Sequence, residues 1–306
     1  MKPYLFAAIL IVSAVLVVTL LPIFTDSGQK LLVSTKIEVP QNNSKTLGIQ
    51  AYSYPPSSNG LLPPFFSARS VLIKDLTTDT ILFQKESNTP LPIASTTKIM
   101  TALVSSEHFR PNSVLTVGES ATIGGAKVGL TAGESLTFRS LLYGMLLNSG
   151  NDAAFAIAEN YPGGVSEFVT AMNRKVKELN LQNTHFDNPA GFDSPTHYST
   201  ASDLSKITQA ALKNSDLSRI FATKETEVLS LDKTKVHKLV NLNKLLSSLN
   251  GVLGVKTGYT DAAKENLVGY VDRDGKKILS VILGSDDRFG ETRSLVEWTY
   301  SNFVWK

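Results

Sequence analysis

The 306-residue chain has no cysteine and only four histidines. The first absence excludes disulfides, thiolate metal ligation and a cysteine nucleophile. His108, His185, His197 and His237 are scattered, with no H-x-x-H or H-E-x-x-H spacing, so no metal site is expected. Charge is nearly balanced: 30 Lys+Arg against 27 Asp+Glu leaves a formal +3. No basic stripe with interleaved aromatics accompanies it, so nucleic acid is not an expected partner. A mild basic excess suits a polyanionic wall or an acidic lipid face. There is no internal repeat. The remaining composition is that of a globular protein, and the length allows one large domain or two ordinary ones.

The N-terminus is what the chain has in excess. Tyr4 to Phe24 is a run of 21 uncharged residues, rich in Leu, Ile, Val and Ala. As a helix it can cross a hydrocarbon core of ~30 Å. Lys2 precedes it, and Asp26 and Lys30 follow. The positive-inside tendency then leaves the rest of the chain outside the cytoplasm. A cleaved signal peptide is the rival reading. Its apolar core is usually about 7–15 residues and closes on a small-x-small site. This run is longer, and Leu20-Leu21-Pro22-Ile23-Phe24 has no such site. The reading adopted is an uncleaved, single-pass membrane anchor over 1–24, with an extracytoplasmic remainder.

Residues 25–65 read as a flexible linker. Asn42-Asn43-Ser44 and Tyr54-Pro55-Pro56-Ser57-Ser58-Asn59-Gly60 carry no apolar period and cannot build a core alone. The folded domain is expected over 66–306. Ser70–Leu76 and Ile81–Lys85 have strand character around a Thr77-Thr78-Asp79 turn. Helical spacing follows, from Ser95 through Ile99 and Leu103, over Leu141–Leu146, and in Phe168, Met172, Val176 and Leu179. Ser202–Leu212 and Asn241–Leu249 are further helix candidates. Val252–Thr257, Leu267–Val271 and Ile278–Leu283 read as strands, with Asp274-Gly275 as a tight hairpin turn. Glu291–Phe303 closes the chain as a helix. Strands at both ends around a helical middle predict one α+β domain, its antiparallel sheet flanked by helices.

Three short motifs lie within residues 95–258: Ser95-Thr96-Thr97-Lys98, Ser149-Gly150-Asn151 and Lys256-Thr257-Gly258. Each recurs by chance in unrelated chains; the three together, in this order, do not. On a helix, residues three apart share a face, so Ser95 Oγ and Lys98 Nζ can meet. A serine hydroxyl attacks once a base takes its proton. A lysine serves as that base when burial or a second cation lowers its pKa, and Lys256 is the candidate second cation. Ser149 Oγ is placed to relay a proton to a leaving group, and the Asn151 amide to hold Lys98 and meet a substrate amide. Taken alone, this motif reads as a helix C-terminus. Lys256-Thr257-Gly258 continues an apolar strand. A free strand edge pairs with an extended peptide, with Lys256 and Thr257 on a carboxylate and Gly258 leaving room. The amides of Ser95 and Tyr259 are the candidate oxyanion hole. Arg288 is a candidate for binding a carboxylate, with a surface ion pair the favoured reading, and Trp298 and Trp305 read as packing of the last helix.

With these residues in place, the chain resembles the serine-type D-Ala-D-Ala carboxypeptidases, the low-molecular-mass penicillin-binding proteins of the peptidase S11 type. The motif order and its neighbours carry the likeness: Pro92-Ile93-Ala94-Ser95-Thr96-Thr97-Lys98-Ile99-Met100-Thr101, Asn148-Ser149-Gly150-Asn151-Asp152-Ala153, His197-Tyr198-Ser199-Thr200 and Gly254-Val255-Lys256-Thr257-Gly258-Tyr259-Thr260. It covers about Ser70 to Phe303. The chain departs from the family pattern at Ala190, often His, at Leu253, often Asp, and over Ala263-Lys264-Glu265-Asn266. The resemblance implies a β-lactamase/transpeptidase-like fold, no cofactor, and removal of the terminal D-Ala from peptidoglycan stem peptides. It implies Ser95, Lys98 and Ser149 as catalytic residues, with Asn151, Lys256, Thr257, Gly258 and Tyr259 on the substrate. β-Lactams are then expected to acylate the enzyme. A DD-endopeptidase on the same scaffold and a non-catalytic wall-binding homologue are the alternatives. A class A β-lactamase is disfavoured, because Glu159, Glu167 and Glu178 lack the Glu-x-x-x-Asn pattern.

Overall fold

The structure is a computed structural model that describes residues 56–305. The expected anchor over 1–24 and most of the linker lie outside the described residues. From the N-terminal side come β1 (Ser57–Ser58), β2 (Ser70–Asp75) and β3 (Ile81–Lys85). A 3-10 turn over Ala94–Thr97 runs straight into α1 (Lys98–His108). A small ribbon of β4 (Val114–Thr116) and β5 (Ser135–Thr137) precedes α2 (Phe138–Leu147), α3 (Asn151–Glu159) and α4 (Gly164–Glu178). Next are α5 (Ala201–Leu212), α6 (Ser215–Ala222), a hairpin of β6 (Glu225–Leu229) and β7 (Val236–Val240), and the single turn α7 (Leu245–Ser248). β8 (Val252–Thr260), β9 (Lys264–Arg273), β10 (Lys276–Ser285), α8 (Arg288–Asn302) and β11 (Phe303–Val304) complete it.

The main sheet has five antiparallel strands in the order β3-β2-β10-β9-β8. Strands from both ends of the chain therefore share it, as the α+β reading expects. Alternation along β10 explains why it is central. Leu279, Val281 and Leu283 join the core under the helical region, whereas Ile278 and Ile282 pack with Leu295 and Val296 of α8. A strand apolar on both faces has to be covered on both. Truncating Leu279 to alanine would cost about 2–5 kcal/mol. β8, in contrast, is an edge strand with one ladder of backbone groups unpaired in the sheet.

Local chemistry sets the element ends. Thr137, Thr200, Asn214 and Asp287 cap α2, α5, α6 and α8, each accepting a backbone N–H from two or three residues on. Asp274 (φ +54°) and Gly275 (φ +81°) form the two-residue turn between β9 and β10. Positive φ at both positions is the type I′ requirement that Asp-Gly meets.

Two expectations need correcting. The expected helix 241–249 shrinks to Leu245–Ser248; the amides of Asn241 and Leu242 donate instead to the distant Lys224 and Leu147 carbonyls. The linker cannot extend to residue 65. β1 pairs with β11, the Leu61 amide donates to Asn302 Oδ1 (2.8 Å), and Trp298 Nε1 donates to the Leu61 carbonyl (3.2 Å). Phe66 lies in the core beside Phe83. The folded unit thus takes in residues whose Pro- and Ser-rich composition pointed to a spacer.

Candidate active site

The site forms where the turn before α1 meets β8. In a 3-10 turn, side chains at i and i+3 eclipse, which places Ser95 directly against Lys98. Lys98 Nζ lies 2.9 Å from Ser95 Oγ, 2.8 Å from Asn151 Oδ1 and 2.6 Å from the Ala190 carbonyl oxygen. Lys98 is fully buried, whereas Ser95 is partly exposed. Burial, and then the charge of Lys256, push the Lys98 amine well below its ordinary value, with Asp152 pulling the other way.

These contacts also orient the amine. Asn151 Nδ2 donates to the Gly124 carbonyl (2.8 Å), so the amide turns its oxygen toward Lys98. Asn151 Oδ1 and Ala190 O can only accept. A neutral amine has two N–H bonds and one lone pair; the two oxygens take both hydrogens and leave the lone pair facing the Ser95 hydroxyl. The arrangement directs the lone pair to draw a proton from Ser95.

The backbone around this pair is under constraint. Ala94 (φ +48°) and Ser149 (φ +57°) are non-glycine residues in the left-handed region, where strain often accompanies function. Gly191 (φ +91°) lies so close to the nucleophile turn that a Cβ there would come within 1.9 Å of the Ala94 oxygen. Asn188 Oδ1 gathers the amides of Ala190, Gly191 and Phe192, and this holds the Ala190 carbonyl on Lys98. At Gly258 a Cβ would stand 3.0 Å from the Ile93 oxygen and 3.1 Å from the Ser95 nitrogen. Only glycine lets β8 approach the nucleophile turn this closely.

Lys256 is buried on β8, and among the described residues its Nζ is bonded only to the Thr257 carbonyl (3.0 Å). Burial, and then Arg288, push it down to about 7. Arg288, at the start of α8, is half-buried and donates from Nη1 to the Gly258 carbonyl (2.9 Å). Its Nε is buried without a partner among the described residues. Among the described residues neither cation makes an ion pair with a carboxylate.

A model of the family described as D-alanyl-D-alanine carboxypeptidase matches residues 59–287 of this chain. The chain belongs to that family. It is 35% identical over 245 residues to D-alanyl-D-alanine carboxypeptidase DacF of Bacillus subtilis (strain 168), covering 77% of this chain and 63% of the relative's length. It is 37% identical over 229 residues to a D-alanyl-D-alanine carboxypeptidase of Streptomyces sp. (strain K15), covering 68% and 77%. The crystal structure of the Streptomyces K15 DD-transpeptidase superposes with a TM-score of 0.75 at 32% identity, over 79% of this chain and all of that one. The penicillin-binding/transpeptidase fold is thereby shown.

Of the residues singled out from the sequence, the structure brings Ser95, Lys98 and Asn151 into direct contact and sets Lys256, Thr257 and Gly258 on the free edge opposite. Ser149, two residues before Asn151, is buried and is not among the groups bonded to Lys98. Tyr259 is exposed, its hydroxyl donating to Asp261 Oδ1 (3.0 Å), while its backbone adjoins the Gly258 contact with Ser95. For Arg288 the favoured surface ion pair is not found among the described residues; the side chain lies at the site, as its alternative reading as a carboxylate-binding residue requires. The departure at Ala190 does not reach Lys98, because the contact is through the backbone oxygen.

His197 also proves to be structural support. Its Nδ1 accepts from the Asp187 amide (3.0 Å), so Nε2 carries the hydrogen and donates to Thr97 Oγ1 (2.8 Å). Burial, opposed by Asp187, pushes it down to about 4, and it is neutral at working pH. It ties the loop bearing Ala190 to the nucleophile turn.

Proposed function

We propose that this chain is a serine D-Ala-D-Ala carboxypeptidase that removes the terminal D-Ala from peptidoglycan stem peptides and is acylated by β-lactams. The observation that carries the reading is the pairing of Ser95 and Lys98 opposite an edge strand that bears Lys256 and is met by Arg288 of α8, neither cation being paired with a carboxylate among the described residues. An extended peptide adds to β8 by main-chain hydrogen bonds. Its terminal carboxylate supplies the anion that Lys256 and Arg288 lack, with Thr257 as a further donor. This contact places the last peptide bond over Ser95.

Ser95 Oγ attacks the carbonyl carbon while its proton passes to Lys98. The oxyanion faces the amides of Ser95 and Tyr259. The proton then moves to the departing nitrogen, with Ser149 and Asn151 alongside, and the C–N bond breaks to release D-Ala. Water, deprotonated by the same base, hydrolyses the acyl-enzyme and restores Ser95. Incubation with a stem pentapeptide should release free D-Ala and leave a cross-linked dimer intact. Splitting of the dimer without D-Ala release would assign the endopeptidase activity instead.

The reading includes an N-terminal membrane anchor and an extracytoplasmic site. Support comes from the 21-residue uncharged run Tyr4–Phe24 and from the Pro- and Ser-containing stretch after it. The mature protein should begin at Met1 or Lys2 and stay with membranes in high salt, because an apolar span is not held by screened charge. An N-terminus beyond Phe24, or release by salt, would overturn the anchor.

A further inference from the structure

Asp152, the residue after the second motif, is fully buried and touches none of the reacting groups. Its carboxylate nevertheless makes a dense set of contacts. Oδ1 and Oδ2 accept from the Val128 amide (3.0 and 3.1 Å), and Oδ2 accepts from Gly129 (2.9 Å) and Leu130 (3.1 Å). Oδ1 also accepts from the Ala153 amide (2.9 Å). Three successive amides, with Gly129 left-handed at φ +90°, form an anion-binding concavity that the carboxylate fills.

The loop held in this way forms one wall of the site. Residues 124–127 are exposed and have no regular structure of their own. Two carbonyls in this stretch hold Asn151: Ala126 O accepts its amide (2.7 Å), and Gly124 O accepts Nδ2 (2.8 Å). The Val128 side chain fits where Gly144 and Gly150 leave space; a Cβ at either would lie 2.6 or 2.7 Å from Val128 Cγ2. The carboxylate thus fixes the loop, the loop fixes the side-chain amide, and that amide turns its oxygen to Lys98.

We infer that Asp152 is a positioning residue for acylation: it clamps the loop 124–130 so that Gly124 orients the Asn151 amide and leaves the Lys98 lone pair on Ser95. Freed from Gly124, Asn151 can rotate and offer its NH2 group to Lys98. The amine's hydrogens then have one fewer acceptor, and its lone pair is no longer directed. This inference deepens the reading in which Ser95 and Lys98 are the reactive pair.

The test is the second-order rate of fluorescent-penicillin adduct formation in the full chain. Four proteins are compared: wild type, Asp152→Asn, Asn151→Ala and the double variant. Asp152→Asn keeps the shape but points an NH2 group at amide donors. It should lose acylation by ~10²-fold, the scale of a small misplacement next to the chemistry. On the Asn151→Ala background it should cost no more than about threefold, because residues acting through one another are not additive. The acid limb of the pH profile should also move to lower pH. Lys98 faces the cation Lys256, the carboxylate Asp152 and the neutral His197, and removing the one anion lowers its affinity for a proton.

If Asp152→Asn fails to fold, Gly125→Ala strains the same loop, since its Cβ would meet Asn151 Nδ2 at 2.6 Å at a φ of +81°. Its loss should likewise vanish on the Asn151→Ala background. Wild-type acylation at Ser95 tests the reactive pair; the coupling between positions 151 and 152 tests Asp152. Wild-type rates in folded Asp152→Asn, or losses that multiply in the double variant, would overturn the inference.

Discussion

Replacing Lys98 with arginine should leave a folded protein that binds penicillin yet acylates roughly 10²–10⁴-fold more slowly, the usual cost of losing a general base. The expectation follows from the three contacts of Nζ. Two acceptor-only oxygens, Asn151 Oδ1 and Ala190 O, take the hydrogens of a neutral amine and leave its lone pair to Ser95. Burial and Lys256 favour that neutral form. A guanidinium keeps the positive charge but does not give up a proton at any working pH. The sign of the pH dependence follows as well. Only the deprotonated amine accepts the serine proton, so wild-type acylation should rise with pH through a value well below the ordinary lysine value of ~10.4. The Lys98→Arg variant should show no such limb. Near wild-type acylation by Lys98→Arg would remove Lys98 as the base and leave the site without one.

Much of this site is legible in the chain because its residues cluster in short motifs. Ser95 and Lys98 are three apart, and a single turn brings them together. Lys256, Thr257 and Gly258 follow an apolar strand, so their place on the sheet can be read from period and composition. Asp274-Gly275 specifies its turn by backbone preference alone. The unread parts depend on tertiary contact. Arg288 reaches the site through the Gly258 carbonyl, 30 positions away; nothing in its neighbours separates it from a surface arginine. Asp152 finds its partners 22 to 24 positions back, in a loop with no periodic pattern. His197 bridges Thr97, 100 positions away, to Asp187.

The β6–β7 hairpin was hidden for a different reason. Its exposed face mixes Glu225, Glu227 and Leu229 with Val236, Lys238 and Val240, so the apolar alternation that marks a half-buried ribbon is broken. Segment 57–65 lacks a core pattern because much of its attachment is through backbone bonds to Asn302 and Trp298, which composition does not register.

The account rests on Ser95 as the acylated residue, and changing it should have the largest effect of any substitution. Ser95→Ala removes the atom that forms the acyl bond while leaving Lys98, the free edge of β8 and the two cations in place. It should still bind ligand reversibly and form no covalent adduct. The direct measurement is intact-protein mass spectrometry after penicillin treatment, followed by peptide mapping. The wild-type protein should gain the mass of one penicillin on the peptide that contains Ser95, and Ser95→Ala should gain none. An adduct on another peptide, or no adduct with folded wild-type protein, would contradict the mechanism.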